Sequence, residues 1–121
     1  MTRLWIGLGA LTGLLAVALA AWAAHAAPTR LDPRALAALE NALRMQGWHA
    51  LALLATGLWA ERHASWLTHA AGAAFAAGLL LFCGGVYASA LAGLSLGPVA
   101  PLGGTLLMLG WALLGLSAFR R

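Results

Sequence analysis

Long charge-free apolar runs alternate with short polar breaks along this chain, and the runs are too long for strands. The first run covers residues 4–24. At 1.5 Å per helical residue it extends about 30 Å, the thickness of a bilayer's hydrocarbon core. A cleaved signal peptide is the rival reading, with Arg3 ahead of the run and Ala24-His25-Ala26 as the cleavage site. Signal h-regions extend only about 7–15 residues, so a retained span is expected.

Residues 26–44 break the pattern. Ala27-Pro28-Thr29-Arg30 reads as a turn, and Asp32-Pro33 as an N-cap followed by proline at the first helical position. Leu36, Leu39 and Leu43 then recur at helical spacing, with Arg34, Asn41 and Arg44 elsewhere on the wheel. This predicts a short amphipathic helix over 33–44, lying at the membrane interface and leading into a second span over 45–60. That span is slightly short, a deficit that a snorkelling Arg44 offsets.

Residues 64–119 carry no charge until Arg120. The stretch is too long for one crossing and suits two joined by a hairpin. Pro98, Pro101, Gly103 and Gly104 mark the break. The third span is therefore expected at about 67–93 and the fourth at 102–119. Backbone groups in lipid must pair within the chain, so these spans are helices. Small residues four apart, Gly9 and Gly13, then Gly85, Ser89 and Gly93, mark expected contact lines, and Gly84 and Gly85 are expected to pack helices.

Composition agrees with this pattern. Of 121 residues, 63% are hydrophobic and 8% charged, against about 25% charged in soluble domains. The basic residues are all arginines, scattered at segment ends rather than gathered in a groove. They suit lipid headgroups and argue against a nucleic-acid partner. Arg3, Arg62, Arg120 and Arg121 share one side of the expected topology, and Arg30, Arg34 and Arg44 the other. The positive-inside rule then places both termini in the cytoplasm. Trp5, Trp59 and Trp66 on the first side, and Trp22 and Trp48 on the second, read as aromatic belts, with Trp111 alone deep in a span.

No acid or arginine falls in the middle of a span, which argues against a proton-coupled exporter built on a membrane-embedded carboxylate. The candidate chemistry is a polar cluster of His25, Gln46, His49 and Tyr87, expected at one depth near the outer surface. His49 is expected to turn inward, within reach of His25 or Tyr87. Two histidines there suit haem or copper. The alternative is a set of interhelical hydrogen bonds that locks the bundle, with no cofactor and no metal site, and this is the preferred reading. His63 and His69 are read as interfacial polarity, and the single Cys83 as a packing residue.

The same residues carry a resemblance over nearly the whole chain. Ala23-Ala24-His25-Ala26 matches a Gly-Ala-His-Ala-like motif, and Met45-Gln46-Gly47-Trp48-His49-Ala50 a Tyr-Gln-x-x-His-Ala-like one. Phe82-Cys83-Gly84-Gly85-Val86-Tyr87 matches Phe-Ser-Gly-Ser-Leu-Tyr. The stretch Pro98-Val99-Ala100-Pro101-Leu102-Gly103-Gly104, followed by Gly110-Trp111, matches Pro-x-Thr-Pro-x-Gly-Gly followed by Gly-Trp. In these motifs the chain resembles the YgdD family of small bacterial membrane proteins, a domain of unknown function (number 423). Met45, Cys83, Gly85 and Ala100 each replace a hydroxyl-bearing residue of the family pattern, which weakens any site those hydroxyls line. The resemblance implies four spans and an inner-membrane address, and it brings no established activity.

The fold expected is an all-α membrane protein of one domain, residues 1–121: a four-transmembrane-helix bundle with an interfacial helix between spans one and two. The role expected is non-enzymatic, that of a structural or accessory membrane protein, as a homo-oligomer or within a larger complex. A ligand or cofactor binder (haem, copper or a lipid headgroup) is the first alternative, and a pore or carrier for an uncharged solute the second.

Overall fold

In the computed structural model, which describes residues 2–120, the chain is helical throughout. Its elements are α1 (Thr2–His25), a 3-10 turn (Ala27–Thr29), α2 (Pro33–Arg62), α3 (Trp66–Ala92) and α4 (Val99–Phe119). Local chemistry sets the boundaries. The Asp32 carboxylate accepts from the Ala35 amide at 2.7 Å, with Pro33 opening the helix behind it. Ser65 caps α3 in the same way, accepting from the Thr68 amide at 3.2 Å. Gly93 ends α3 with φ 68°, a left-handed conformation that glycine adopts without a Cβ penalty.

Three helices, α1, α3 and α4, are long and apolar enough to cross a membrane. The remaining helix, α2, differs in two ways. Residues 33–44 and 45–60 form one continuous helix of 30 residues, with no break at Arg44. It also meets α1, α3 and α4 through side chains on different faces. Its modest apolarity follows from that position: a helix shielded by its neighbours needs fewer lipid-facing leucines and can carry polar groups that pair inward.

Glycines set the helix approaches. A Cβ on Gly9 would sit 2.9 Å from the Ala50 carbonyl oxygen, and one on Gly57 would meet Ile6 at 2.6 Å, so α1 and α2 touch backbone to backbone. The α3–α4 hairpin closes likewise, with Gly103 against the backbone of Phe82 and Gly78 against Leu107. Gly85 meets Ala100. Gly84 does not pack as expected: nothing lies within 4 Å of where its Cβ would be. One residue is about 100° of helix, and that step turns it away from the α4 face used by Gly85. Gly104 meets only the edge of Phe82, at 3.8 Å.

The last hairpin is shorter than the sequence suggested. Helix α4 starts at Val99 instead of 102, so Pro101 lies inside it, while Gly103 and Gly104 fall in the helix entry as expected. Pro101 occupies the first helical turn, where a missing N–H removes no intrahelical bond. Pro98 stands at the N-cap position, and its carbonyl accepts from the Leu102 amide at 3.0 Å.

Candidate functional site

The polar residues of the helices fall into two adjoining groups on α2, one turn apart. In the first, the His49 ring is 3% exposed. The Trp111 indole N–H donates to His49 Nε2 at 3.0 Å. An indole nitrogen can only donate, so Nε2 accepts and the ring proton resides on Nδ1. From there it is donated to the Met45 carbonyl at 2.6 Å, one turn back along the helix. Both ring nitrogens are thereby engaged. Phe75 completes an aromatic triad, edge-on to Trp111 at 5.1 Å and 5.8 Å from His49. Gly110 makes room for it, since a Cβ there would strike the Phe75 ring at 2.6 Å.

In the second group, Gln46 uses both ends of its amide. Its Nε2 donates to the Thr12 carbonyl of α1 at 2.9 Å, and its Oε1 accepts from the Tyr87 hydroxyl of α3 at 2.6 Å. One side chain thus ties three helices. Cys83 donates weakly to the Ala42 carbonyl at 3.5 Å, as a buried packing residue. Among the described residues, no buried side-chain nitrogen or oxygen lacks a partner. Beside Gln46 and Tyr87 a groove of about 290 Å³ opens between α1 and α3, lined by Leu8, Thr12, Leu15, Leu79 and Leu80.

His25 does not join these groups. Gln46 reaches Thr12, and Ala50 lies against Gly9 and Gly13, so the level of the cluster on α1 is residues 9–13. His25 stands roughly a dozen residues, or about 18 Å of helix, beyond that level, and is exposed. The expected shared depth fails because residues 33–44, expected to lie along the interface, continue into the same helix as the span and carry Gln46 and His49 well down it. The expected partners of His49 were also wrong: it bonds to Trp111, and Tyr87 goes to Gln46. With His25 remote and both His49 nitrogens engaged, the donor pair for haem or copper is not assembled. Among the described residues, no three His, Cys, Asp or Glu side chains gather as a metal site.

Sequence reading missed Trp111 and Phe75. The available signal was an indole deep in a span, whose N–H needs an acceptor wherever lipid surrounds it. The same rule operates at the other end of the bundle. Trp5, only 3% exposed, donates to His69 Nδ1 at 3.0 Å and joins α1 to α3. Trp59 donates to Ser117 Oγ at 3.1 Å, joining α2 to α4, and stacks on His63 at 3.9 Å. Trp5 therefore bonds inward instead of standing in a lipid-facing belt, while Trp48 and Trp66 face outward.

These residues lie in a segment shared with known proteins. The family described as "Protein of unknown function (DUF423)" matches residues 19–104. A UPF0382 membrane protein of Haemophilus influenzae is 35% identical over 99% of this chain and 97% of its own length. The chain belongs to the DUF423 family. Other DUF423-like relatives are a UPF0382 membrane protein of Staphylococcus aureus, 33% identical over 98% of the chain and 97% of its length, and the UPF0382 inner membrane protein YgdD of Escherichia coli K12, 31% identical over 98% and 92%. No solved structure matches significantly. With its three membrane-capable helices, this DUF423 member is a membrane protein. Gln46, His49 and Tyr87 fall inside the matched segment, and Trp111 falls beyond it.

Proposed function

We propose that this DUF423 member is a non-enzymatic inner-membrane protein with a structural or accessory role, crossing the bilayer four times. The observation that carries this reading is the saturation of the buried polar groups. His49 has no free ring nitrogen, and Gln46 has both amide ends bonded to other helices. A catalytic or ligating group needs a lone pair or proton directed at a ligand, whereas these are directed at neighbouring helices. They act as a lock on α2.

The length of α2 supports its reading as the fourth crossing. Thirty residues extend about 45 Å, which matches a bilayer with its headgroup regions. Its first turn, with Arg34, then occupies the outer headgroup zone, and the exposed Glu40 and Arg44, an i,i+4 pair, lie within two turns of Gln46, with Arg44 snorkelling outward. Both termini share the opposite, cytoplasmic side, in keeping with the arginine distribution. The inner-membrane address follows the printed name of the Escherichia coli relative. Lipid-facing Leu11, Leu14 and Val17 of α1 provide the surface for self-association or for a larger complex.

The test compares wild type and His49→Ala, purified in detergent, by metal analysis, visible absorbance and thermal unfolding. The expected result is a metal-free, colourless wild type and a variant that inserts but unfolds at lower temperature. A stoichiometric metal or a haem band lost in His49→Ala would sink the lock reading.

A further inference from the structure

Away from the His49 lock, the start of α2 and the α3–α4 hairpin enclose a separate cavity of about 330 Å³. It is lined by Arg34 of α2, Gly85 and Ser89 of α3, Ser95 and Gly97 of the connecting loop, and Ala100 of α4. No carboxylate lines it. Asp32, two residues from Arg34, is engaged in capping α2 through the Ala35 amide. The cavity therefore carries a net positive charge from Arg34 and hydroxyl donors from two serines.

The start of α4 borders the same space through Ala100. Helix α4 starts without a side-chain cap, and its first internal bond is Leu102 N–H to the Pro98 carbonyl. The amides of Val99 and Ala100 precede that bond and have no intrahelical acceptor. Gly85 keeps the approach to Ala100 open, because a Cβ there would lie 3.3 Å from the Ala100 nitrogen. A guanidinium and two hydroxyls around one cavity, beside the start of a helix, suit a tetrahedral anion with several acceptor oxygens. The surroundings indicate how that anion arrives. Leu91, Leu94 and Leu96 are 43%, 57% and 47% exposed around the hairpin, an apolar skirt that seats the cavity at the level of lipid headgroups.

We propose that this cavity binds the phosphate of an anionic phospholipid headgroup, with Arg34 as its charge partner and Ser89 and Ser95 as hydrogen-bond donors. The site rests on the membrane-crossing reading but uses none of the lock residues, so either proposal can fail alone.

The experiment is native mass spectrometry of the detergent-purified full chain titrated with phosphatidylglycerol or phosphatidylcholine. Arg34→Gln is compared with Arg30→Gln, a cation from the same end that does not line the cavity. Wild type and Arg30→Gln should retain phosphatidylglycerol in preference to phosphatidylcholine. Arg34→Gln should weaken phosphatidylglycerol retention by about tenfold, the scale of one charge-assisted hydrogen bond. Equal retention by Arg34→Gln and wild type would overturn the site, as would indifference to the lipid's charge. A separate arm adds inorganic phosphate and glycerophosphate as competitors. Failure of both to displace the lipid supports a headgroup ligand, and displacement by the free anions would overturn the lipid assignment.

Discussion

A buried imidazole with two committed nitrogens behaves as a strut whose value depends on its partner. Removing the indole N–H by Trp111→Phe leaves His49 Nε2 without a donor, while the aromatic packing with Phe75 is largely kept. The expected loss is about 1 kcal/mol, since interhelical hydrogen bonds in membranes average only ~0.6 kcal/mol and an orphaned acceptor adds to that. In a double-mutant cycle by thermal or denaturant unfolding, Trp111→Phe and His49→Ala should cost less together than the sum of the two alone. Strict additivity would mean that the bond contributes nothing. Tyr87→Phe, which strips the donor from Gln46 Oε1, should have an effect of similar size and be independent of the other two. The identities of Gln46, His49 and Tyr87 were legible in the sequence, because polar groups in apolar runs stand out. Their pairing was not legible, because partner choice depends on rotation about α2 that spacing alone does not give.

At the level of helices, glycines with similar sequence surroundings have opposite roles. Gly103 rests on the Phe82 backbone, and any side chain there must push α3 and α4 apart. Gly103→Val should cost upwards of about 2 kcal/mol, within the range for forced overpacking. Gly84→Ala places its methyl in open space and should leave stability within about 0.5 kcal/mol of wild type. Unfolding in detergent checks both, and equal effects at the two positions would contradict the α3–α4 contact line. Four apolar or amphipathic segments could be read from hydropathy, and Asp32-Pro33 announced the start of α2. Only the start of α4 shifted, from 102 to Val99, because proline marks helix starts as well as turns. Its geometry puts Pro101 where a first turn tolerates it and Gly103 where a neighbour presses close.

For the molecule as a whole, the chief question is the path of α2. If it crosses the bilayer with the others, both ends of the chain share a side, and the α3–α4 hairpin lies opposite. Single cysteines at Thr2→Cys and Ser95→Cys, in a Cys83→Ala background, should label with an impermeant reagent from opposite faces of the membrane. Labelling of both from the periplasm would contradict a four-crossing chain. The three strongly apolar helices and the second span over 45–60 were legible as apolar runs between charges. What holds α2 to its neighbours was not legible, because it is tertiary contact: Gly9 and Gly57 against α1, Gln46 to two helices, and His49 to α4.

Pairing the least apolar helix closely with α1 also gives the chain an order of maturation. As α2 leaves the ribosome, the segment already made is α1, which carries Gly9 to fit against it and the Thr12 carbonyl to receive Gln46. In the four-crossing reading proposed above, the two enter the membrane as a hairpin, with α1 offsetting the poor partitioning of its partner. The acceptor end of Gln46 waits for Tyr87, and the imidazole waits longer still, for an indole in the last helix. Until residue 111 is in place, His49 Nε2 lacks the indole donor that it has in the finished fold. That bond ties the last helix made back to the second.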